Sequence, residues 1–312
     1  MKSIKFFVVL ILFGLFGCAA PVERGYDSQA SYALNVWRAS GMEGIMKDTV
    51  VPSSKVGSVF DSGTGRLVGL YSDNSLAKIG GVNPGFANAA GLVVALFEPE
   101  KPPFRDSFFY WEEYRDGESE LELRKRVLES LKDPISSALS ELGYQVVKTS
   151  ISESKAFLVG SYYNLTINFT GNQKECDKYV YKTAVDQATF GACNLYISLP
   201  ELKDKPRSGP VILGLNNKNY WYQSPQEISR AEISLGYWKQ GVKLTREEKE
   251  VFASKFNTHK LLSKISKKMP KNYFLYLAPN NNTYGEDGKK IGFPLVLEKG
   301  ESYSFVVSDK TQ

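Results

Sequence analysis

Residues 119–170 have the sequence SELELRKRVLESLKDPISSALSELGYQVVKTSISESKAFLVGSYYNLTINFT, and this stretch decides the fold. In its first half, apolar residues recur at intervals of seven, three and four, which is the spacing of one face of an α-helix. That face comprises Leu121, Leu128, Leu131, Ile135, Ala138, Leu139 and Leu142. Residues 119–142 are therefore predicted to form an amphipathic helix. Pro134 would kink or divide it, with Asp133 capping the second half, and Gly143 would end it.

The second half of this stretch predicts strands. Residues 144–147 and 156–163 are extended segments, and Leu165, Ile167 and Phe169 then alternate with polar residues, as in a half-buried strand. Within this order of helix, strand, strand, residues 138–144 (ALSELGY) and 155–161 (KAFLVGS) resemble the periplasmic α/β unit of several outer-membrane assembly lipoproteins. Curli-secretion and lipopolysaccharide-transport accessories are among them. The resemblance implies an assembly or docking role.

Further elements are predicted on both sides of this unit. Helices are expected at 31–40, ending at Gly41, at 84–97, and at 245–268, where Thr245 and Glu248 would form a capping box. The last of these is rich in lysine and would present either a solvated face or a surface for anionic lipid. Strands are expected at 50–59, 67–71, 195–199, 211–215, 273–277, 293–297 and 303–307, with Lys299 and Gly300 as the turn of a terminal hairpin.

Together these patterns predict an α+β fold with a mixed or antiparallel sheet and packed amphipathic helices. The chain would form a single large domain or two closely packed subdomains. Residues 31–150 are expected to be a helix-rich N-terminal part. Residues 151–312 are expected to be a strand-rich C-terminal part with one basic helix.

The N-terminal sequence predicts where the protein is located in the cell. Lys2 and Lys5 precede an apolar run at 6–16 that is about half the roughly twenty residues needed to span a bilayer, so residues 1–17 are interpreted as a signal peptide. The segment ending in Cys18 (LFGC) resembles the lipobox of bacterial lipoproteins. That resemblance implies acylation of Cys18, and Ala19 in place of aspartate implies the outer membrane. Residues 18–30 would be a lipidated tether. An ordinary cleaved signal with an incidental cysteine remains the alternative.

The other two cysteines, Cys176 and Cys193, are expected to form a disulfide in an oxidising compartment. They lie symmetrically about residues 184–185, so a hairpin turning there would place them opposite one another. Two reduced, buried cysteines are the alternative. Without a nearby histidine or further cysteine, the pair does not make a metal site, and no cofactor is expected.

Catalysis has one remote candidate. Residues 59–64 (VFDSGT) resemble the active-site signature of aspartic peptidases, with Asp61 as the catalytic carboxylate. Such enzymes need two carboxylates, and a glycine-rich turn between strands explains the same residues. His259 is the only histidine of the chain, which argues against Ser/His catalysis and multi-histidine metal sites.

Binding is predicted from aromatic segments. The residues Tyr220, Trp221, Tyr222, Tyr237 and Trp238 are expected to stack on sugar rings or to contact a protein partner. A third aromatic cluster, at 104–114, is interpreted as core. Aromatic residues make up 13% of the chain and charged residues only 23%, which favours a packed globule.

The expected function is therefore that of an outer-membrane-anchored periplasmic lipoprotein. It would act without catalysis, as an accessory or scaffold in an envelope assembly. Its expected partners are the membrane, through its acyl chains, and an envelope protein. Glycan or peptidoglycan binding is the alternative. Nucleic acid is not an expected partner, because the location argues against it more strongly than the small net charge argues for it.

Overall fold

The computed structural model describes the chain in segments. They are residues 25–42, 46–52, 105–156, 160–171, 178–182, 187–191, 193–202, 205–225, 231–237, 256–279, 283–285 and 290–309, with positions 176, 245, 247, 250, 254, 281 and 288. Cys18, Asp61 and Trp238 lie outside these residues, as do the predicted helix at 84–97 and the predicted strand at 67–71.

Helix α1 (Tyr32–Ala39) and helix α2 (Glu120–Glu141) begin and end as the sequence predicts. Ser119 forms a capping box with Glu122 at the start of α2. At its end, Tyr144 N–H donates to Leu139 O and Gly143 N–H to Ser140 O, both at 3.0 Å, while Gly143 takes a φ of 82°. This is a Schellman motif, which needs a residue in the left-handed region.

Two details of the α2 prediction are wrong. Pro134 does not divide the helix, which is continuous across it. Ile135, Ala138 and Leu139 stay buried on the same face after the proline, so tertiary packing holds the helix together. Leu121 does not belong to the buried face, since it is 39% exposed and Leu123 occupies the core position in the first turn.

Helix α3 (Thr258–Lys268) is shorter than the predicted helix at 245–268. Positions 247, 250 and 254 are helical, but the chain bends at Phe256, whose side chain is buried. Asn257 then starts a new helix by accepting the Lys260 N–H at 2.9 Å. Burial of Phe256 and this N-cap explain why α3 begins at Thr258.

Fourteen strands are named in the described residues. They are β1 (Thr49–Pro52), β2 (Ser107–Glu113), β3 (Gln145–Ala156), β4 (Gly160–Thr170), β5 (Lys178–Lys182), β6 (Gln187–Gly191), β7 (Cys193–Pro200), β8 (Arg207–Ser208), β9 (Asn219–Gln223), β10 (Ala231–Tyr237), β11 (Tyr273–Leu277), β12 (Leu295–Glu298), β13 (Glu301–Ser304) and β14 (Val306–Asp309).

Ten of these strands form one antiparallel sheet in the order β13-β12-β11-β2-β10-β7-β4-β3, with β9 pairing the second half of β2 and β8 pairing β9. β5 and β6 form a separate hairpin, and β1 pairs with β14 in parallel. The fold is therefore α+β, as predicted. Strand β2, from the predicted N-terminal part, lies between β11 and β10 of the C-terminal part, so the two parts share one sheet.

Three strand predictions differ from the structure. The segment at 156–163 spans the end of β3 and the start of β4, because Gly160 has a φ of 87° where β4 begins. Residues 211–213 form a short 3₁₀ helix between Pro210 and the left-handed Gly214, with Val211 51% exposed. The segment at 303–307 is interrupted at the buried Phe305, which separates β13 from β14.

Two apolar clusters lie on opposite faces of the sheet. The larger joins α2 and α3 to side chains of β2, β4, β7, β10, β11 and β12. The smaller joins α1 to the opposite side of β2, β11 and β12, and the ring of Trp37 of α1 lies 4.8 Å from the Tyr276 ring, tilted by 43°. The aromatic residues at 108–111 are buried as predicted, two on each face.

Candidate functional site

The strands β3, β4, β7 and β10 carry polar side chains on the face opposite to α2. The apolar residues Leu165, Ile167 and Phe169 of β4 point to the helices, so the alternate residues point away. The pairing registers place twelve such side chains together, which we call the polar face. They are Lys148, Ser150, Ser152, Ser154, Asn164, Thr166, Asn168, Asn194, Tyr196, Ser198, Glu232 and Ser234.

The register sets these side chains in rows that cross the four strands. The middle row is Ser150, Thr166, Tyr196 and Ser234, one residue from each strand. Side chains near the β3 edge are exposed, whereas Thr166, Tyr196 and Ser234 are half-buried and Asn164 is buried. Among the described residues, the three helices pack against other parts of the sheet or against its opposite face.

Two asparagine side chains on this face, those of Asn164 and Asn194, contact residues of a neighbouring strand. Asn164 Nδ2 donates to Ser154 Oγ at 2.8 Å, while Asn164 Oδ1 is buried without a hydrogen-bond partner. Asn194 lies over Gly236, where a Cβ would come within 3.0 Å of the Asn194 side chain. Gly236 therefore leaves the space that the Asn194 amide occupies.

A small cleft of about 130 Å³ lies at one rim of the polar face, beside β10. It is lined by Arg105, Asp106, Glu232, Ile233, Ser234, Leu235, Thr258, Leu262 and Asn281. Arg105 forms an ion pair with Glu232 at 3.6 Å. The cleft thus holds two carboxylates, those of Asp106 and Glu232, which is the minimum that hydrolytic acid–base chemistry requires.

Both oxygens of Asp106 accept hydrogen bonds from the loop that follows β11. Oδ1 accepts the Ala278 N–H at 2.8 Å, and Oδ2 accepts the Thr283 hydroxyl at 2.9 Å. Burial raises the pKa of Asp106 to about 6, and the Glu232 charge adds to the rise. The role of Asp106 is therefore structural, because these two hydrogen bonds hold the loop in place.

His259 lies at the start of α3 and is also buried. Its Nε2 is 3.1 Å from Ser302 Oγ, which ties α3 to strand β13. Burial lowers the pKa of His259 to about 4. The only histidine of the chain therefore stays neutral at physiological pH and contributes to packing.

Asp106 and His259 have opposite effects on the pH dependence of stability. As pH rises from about 4 to 6, unfolded Asp106 ionises first, so the free energy of unfolding falls by about 3 kcal/mol. As pH falls from 6.5 to about 4, unfolded His259 gains its proton first, which costs a similar amount. In urea titrations, Asp106→Asn should therefore lose stability on acidification more steeply than the wild type.

The matched variant of this experiment is His259→Gln, which should lose less stability than the wild type on acidification. Both variants share every other titrating group with the wild type, so the differences isolate these two side chains. Parallel pH profiles for all three proteins would contradict the assignment.

The predicted aromatic contact residues do not form one surface. Tyr220 is buried and Tyr222 half-buried in the smaller apolar cluster, with the Arg207 guanidinium 3.7 Å from the Tyr222 ring centre. Trp221 points to the other face of β9, where its ring contacts Tyr114 at a centroid distance of 6.1 Å. Because successive residues of a strand point to opposite faces of the sheet, Trp221 is separated from Tyr220 and Tyr222. Tyr237 ends β10 opposite Cys193.

The predicted basic helix surface is partly used within the chain. Lys264 and Lys268 of α3 form ion pairs with Glu141 at the end of α2, at 3.6 and 2.6 Å. Two lysines that could have faced lipid instead join two helices.

The predicted disulfide is present between Cys176 and Cys193, with their Cα atoms 5.0 Å apart. β5 and β6 pair from Lys178 with Gly191 to Lys182 with Gln187, which is the register expected for a hairpin turning at 184–185. The bond closes the base of this hairpin. Both cysteines are buried in the larger apolar cluster.

The polar face was not predicted as a site. Its signal was present in the sequence, because Thr166 and Asn168 alternate with apolar residues, as do Asn194, Tyr196 and Ser198. The prediction used only the apolar half of each pattern. Recognising the face required the strand order, which local patterns do not give.

Among the described residues, no group of three or more His, Cys, Asp or Glu side chains is placed to hold a metal ion. No helix in the same residues has both the length and the apolar character needed to cross a bilayer. Comparison of the chain with protein-family models, with curated proteins and with solved structures gave no match.

Proposed function

We propose that this chain is an outer-membrane-anchored periplasmic lipoprotein that acts without catalysis, as an accessory or scaffold in an envelope assembly. The proposed location at the outer membrane is supported by the signal-like N-terminus, by Cys18 and by Ala19. The observation that carries the binding role is the polar face, where four adjacent strands direct ordered polar side chains away from the helices. We take this face to be the working surface of the protein.

The buried titratable groups support a role in binding rather than in chemistry. Asp106 uses both carboxylate oxygens to hold a loop, and His259 joins α3 to β13. A general acid or base must instead be within reach of a substrate proton. These side chains are engaged in holding the scaffold on which the polar face lies.

Site-specific photocrosslinking tests the proposed function. A photoreactive amino acid placed at Thr166, in the middle of the polar face, should capture an envelope component in living cells. The same amino acid at Leu121, which is exposed on α2, is the control. Adducts at Thr166 that are absent at Leu121 support the proposal. Identical adducts at both positions, or none at Thr166, would refute it.

Metabolic labelling with an alkyne fatty acid tests the proposed anchor. The wild-type protein should incorporate the label, and Cys18→Ala should abolish incorporation because the acceptor thiol is gone. In a Gram-negative host, Ala19→Asp should keep the label and move the protein from the outer to the inner membrane fraction. Equal labelling of the wild type and Cys18→Ala would show that Cys18 is not the lipidated residue.

A further inference from the structure

We propose that the polar face binds an uncharged glycan chain of N-acetylated hexosamines. This inference rests on the proposed function, in which the polar face is the working surface, and it adds the chemical class of the ligand.

The charge of the face favours a neutral ligand. Ten of its twelve side chains carry a hydroxyl or an amide group and no charge at neutral pH. Lys148 and Glu232 lie at opposite corners, and Glu232 is paired with Arg105. Binding of a polyanion such as nucleic acid relies on clustered Lys and Arg. This face lacks such a cluster among its twelve residues.

The hydrogen-bonding groups match a polyhydroxylated chain. Serine and threonine hydroxyls both donate and accept, and each asparagine offers two N–H donors and a carbonyl acceptor. Sugar hydroxyl groups have the same dual character, and an acetamido group pairs with an asparagine amide in both directions. Asn168 and Asn194 pair in one outer row of the face, and Asn164 lies in the other outer row, so amides flank the middle row on both sides.

Tyr196 gives the face a central aromatic ring, and Tyr162, which pairs with Ser154, adds a second ring at its edge. Tyr196 lies on β7 between Thr166 of β4 and Ser234 of β10, in the centre of the middle row. The Tyr196 side chain is half-buried. An aromatic side chain combines a large apolar body with a polar tip, which suits the C–H face and the hydroxyl edge of a pyranose ring.

The buried side chain of Asn164 has one unpaired hydrogen-bond acceptor, which a bound ligand could satisfy. The residue is 3% exposed, and its Oδ1 has no hydrogen-bond partner although its Nδ2 is bonded to Ser154. Most buried polar atoms have a partner, and leaving one unpaired is costly. A hydroxyl or acetamido N–H of a bound sugar would supply the missing donor.

The composition argues against a protein as the ligand. The centres of protein interfaces are apolar and poor in serine, with tyrosine, tryptophan and arginine as their main anchors. The polar face contains five serines, with Tyr196 at its centre and Tyr162 beside Ser154 at its edge. Its four strands span about 14 Å, a width that accommodates a short stretch of a linear glycan.

Surface plasmon resonance of the full-length protein in detergent tests the inference. The probe is chitohexaose, an uncharged β-1,4-linked N-acetylglucosamine oligomer, and dextran sulfate is the charged comparison. We expect saturable binding of chitohexaose and none of dextran sulfate. Tyr196→Ala should weaken chitohexaose binding about tenfold, whereas Tyr196→Phe should retain most of it.

Two further variants complete the test. Gly236→Ala should weaken binding because the new methyl group displaces the Asn194 side chain. Tyr26→Ala, which removes a 59% exposed tyrosine near α1, should leave binding unchanged. A circular dichroism melt of each variant separates lost binding from lost folding.

Failure of this inference is distinguishable from failure of the proposed function. If Thr166 crosslinks to a protein while chitohexaose does not bind, the glycan inference is overturned and the proposed function stands. Loss of both signals overturns both. Preference for dextran sulfate, or equal weakening by Tyr196→Ala and Tyr26→Ala, also refutes the glycan inference.

Discussion

Replacement of Glu120 by alanine is expected to destabilise the protein by about 3–5 kcal/mol, because it leaves the buried Arg124 charge without its partner. The Arg124 side chain is only 3% exposed. Its Nη2 donates to Glu120 Oε2 at 2.9 Å, and its Nη1 donates to Ser161 O at 3.0 Å. Glu120 Oε1 also accepts the Leu202 N–H at 2.8 Å. Urea denaturation would measure the free energy of unfolding.

Glu129→Ala is the matched control for this variant. Glu129 also lies on α2 and pairs with Lys132, but its side chain is 58% exposed, so its loss should cost less than about 0.5 kcal/mol. Combining Glu120→Ala with Arg124→Met should recover much of the stability, since no charge then stays buried. If Glu120→Ala costs no more than Glu129→Ala, Arg124 does not depend on its partner.

Removal of the disulfide by Cys176→Ala together with Cys193→Ala should cost about 3 kcal/mol. The bond joins two cysteines that are 17 positions apart in the sequence. In the chain-entropy model, it stabilises the fold by restricting the unfolded chain. Adding a reductant to the wild type should give the same loss. The double variant should not respond to reductant, which provides the internal control.

Hydrogen exchange should localise the effect of this double variant. The β5–β6 hairpin should lose protection, while the paired centres of β4 and β7, which are held by a long antiparallel register, should keep it. Uniform loss of protection across the sheet would show instead that the bond stabilises the whole fold.

The elements that could be predicted from sequence are those fixed by neighbouring residues. The ends of α2 follow from Ser119 and Gly143, and the β5–β6 hairpin follows from the symmetric cysteines. Strand β11 was predicted with its observed bounds because its five consecutive residues are all apolar or aromatic. In each case the determining contacts lie within a few residues or are covalent.

The elements that could not be predicted depend on distant residues. Pro134 stays inside α2 because the residues before and after it, Leu131 and Ile135, are both buried in the larger apolar cluster, and Phe256 bends the chain because the core accepts its ring. The placement of β2 between β10 and β11 depends on residues more than a hundred positions away. The polar face depends on the same long-range pairings, so it was beyond the reach of local patterns.

The position of β2 also has a consequence for how this protein folds. All three of its partner strands, β9, β10 and β11, come from residues after 218, and β1 pairs with the last strand of the chain. A chain made from its N-terminus therefore carries an aromatic central strand that stays unpaired until synthesis is nearly complete. Such non-local pairing slows folding and leaves apolar strands open to aggregation. The aromatic residues of β2 therefore depend on the late arrival of β9, β10 and β11 for their burial.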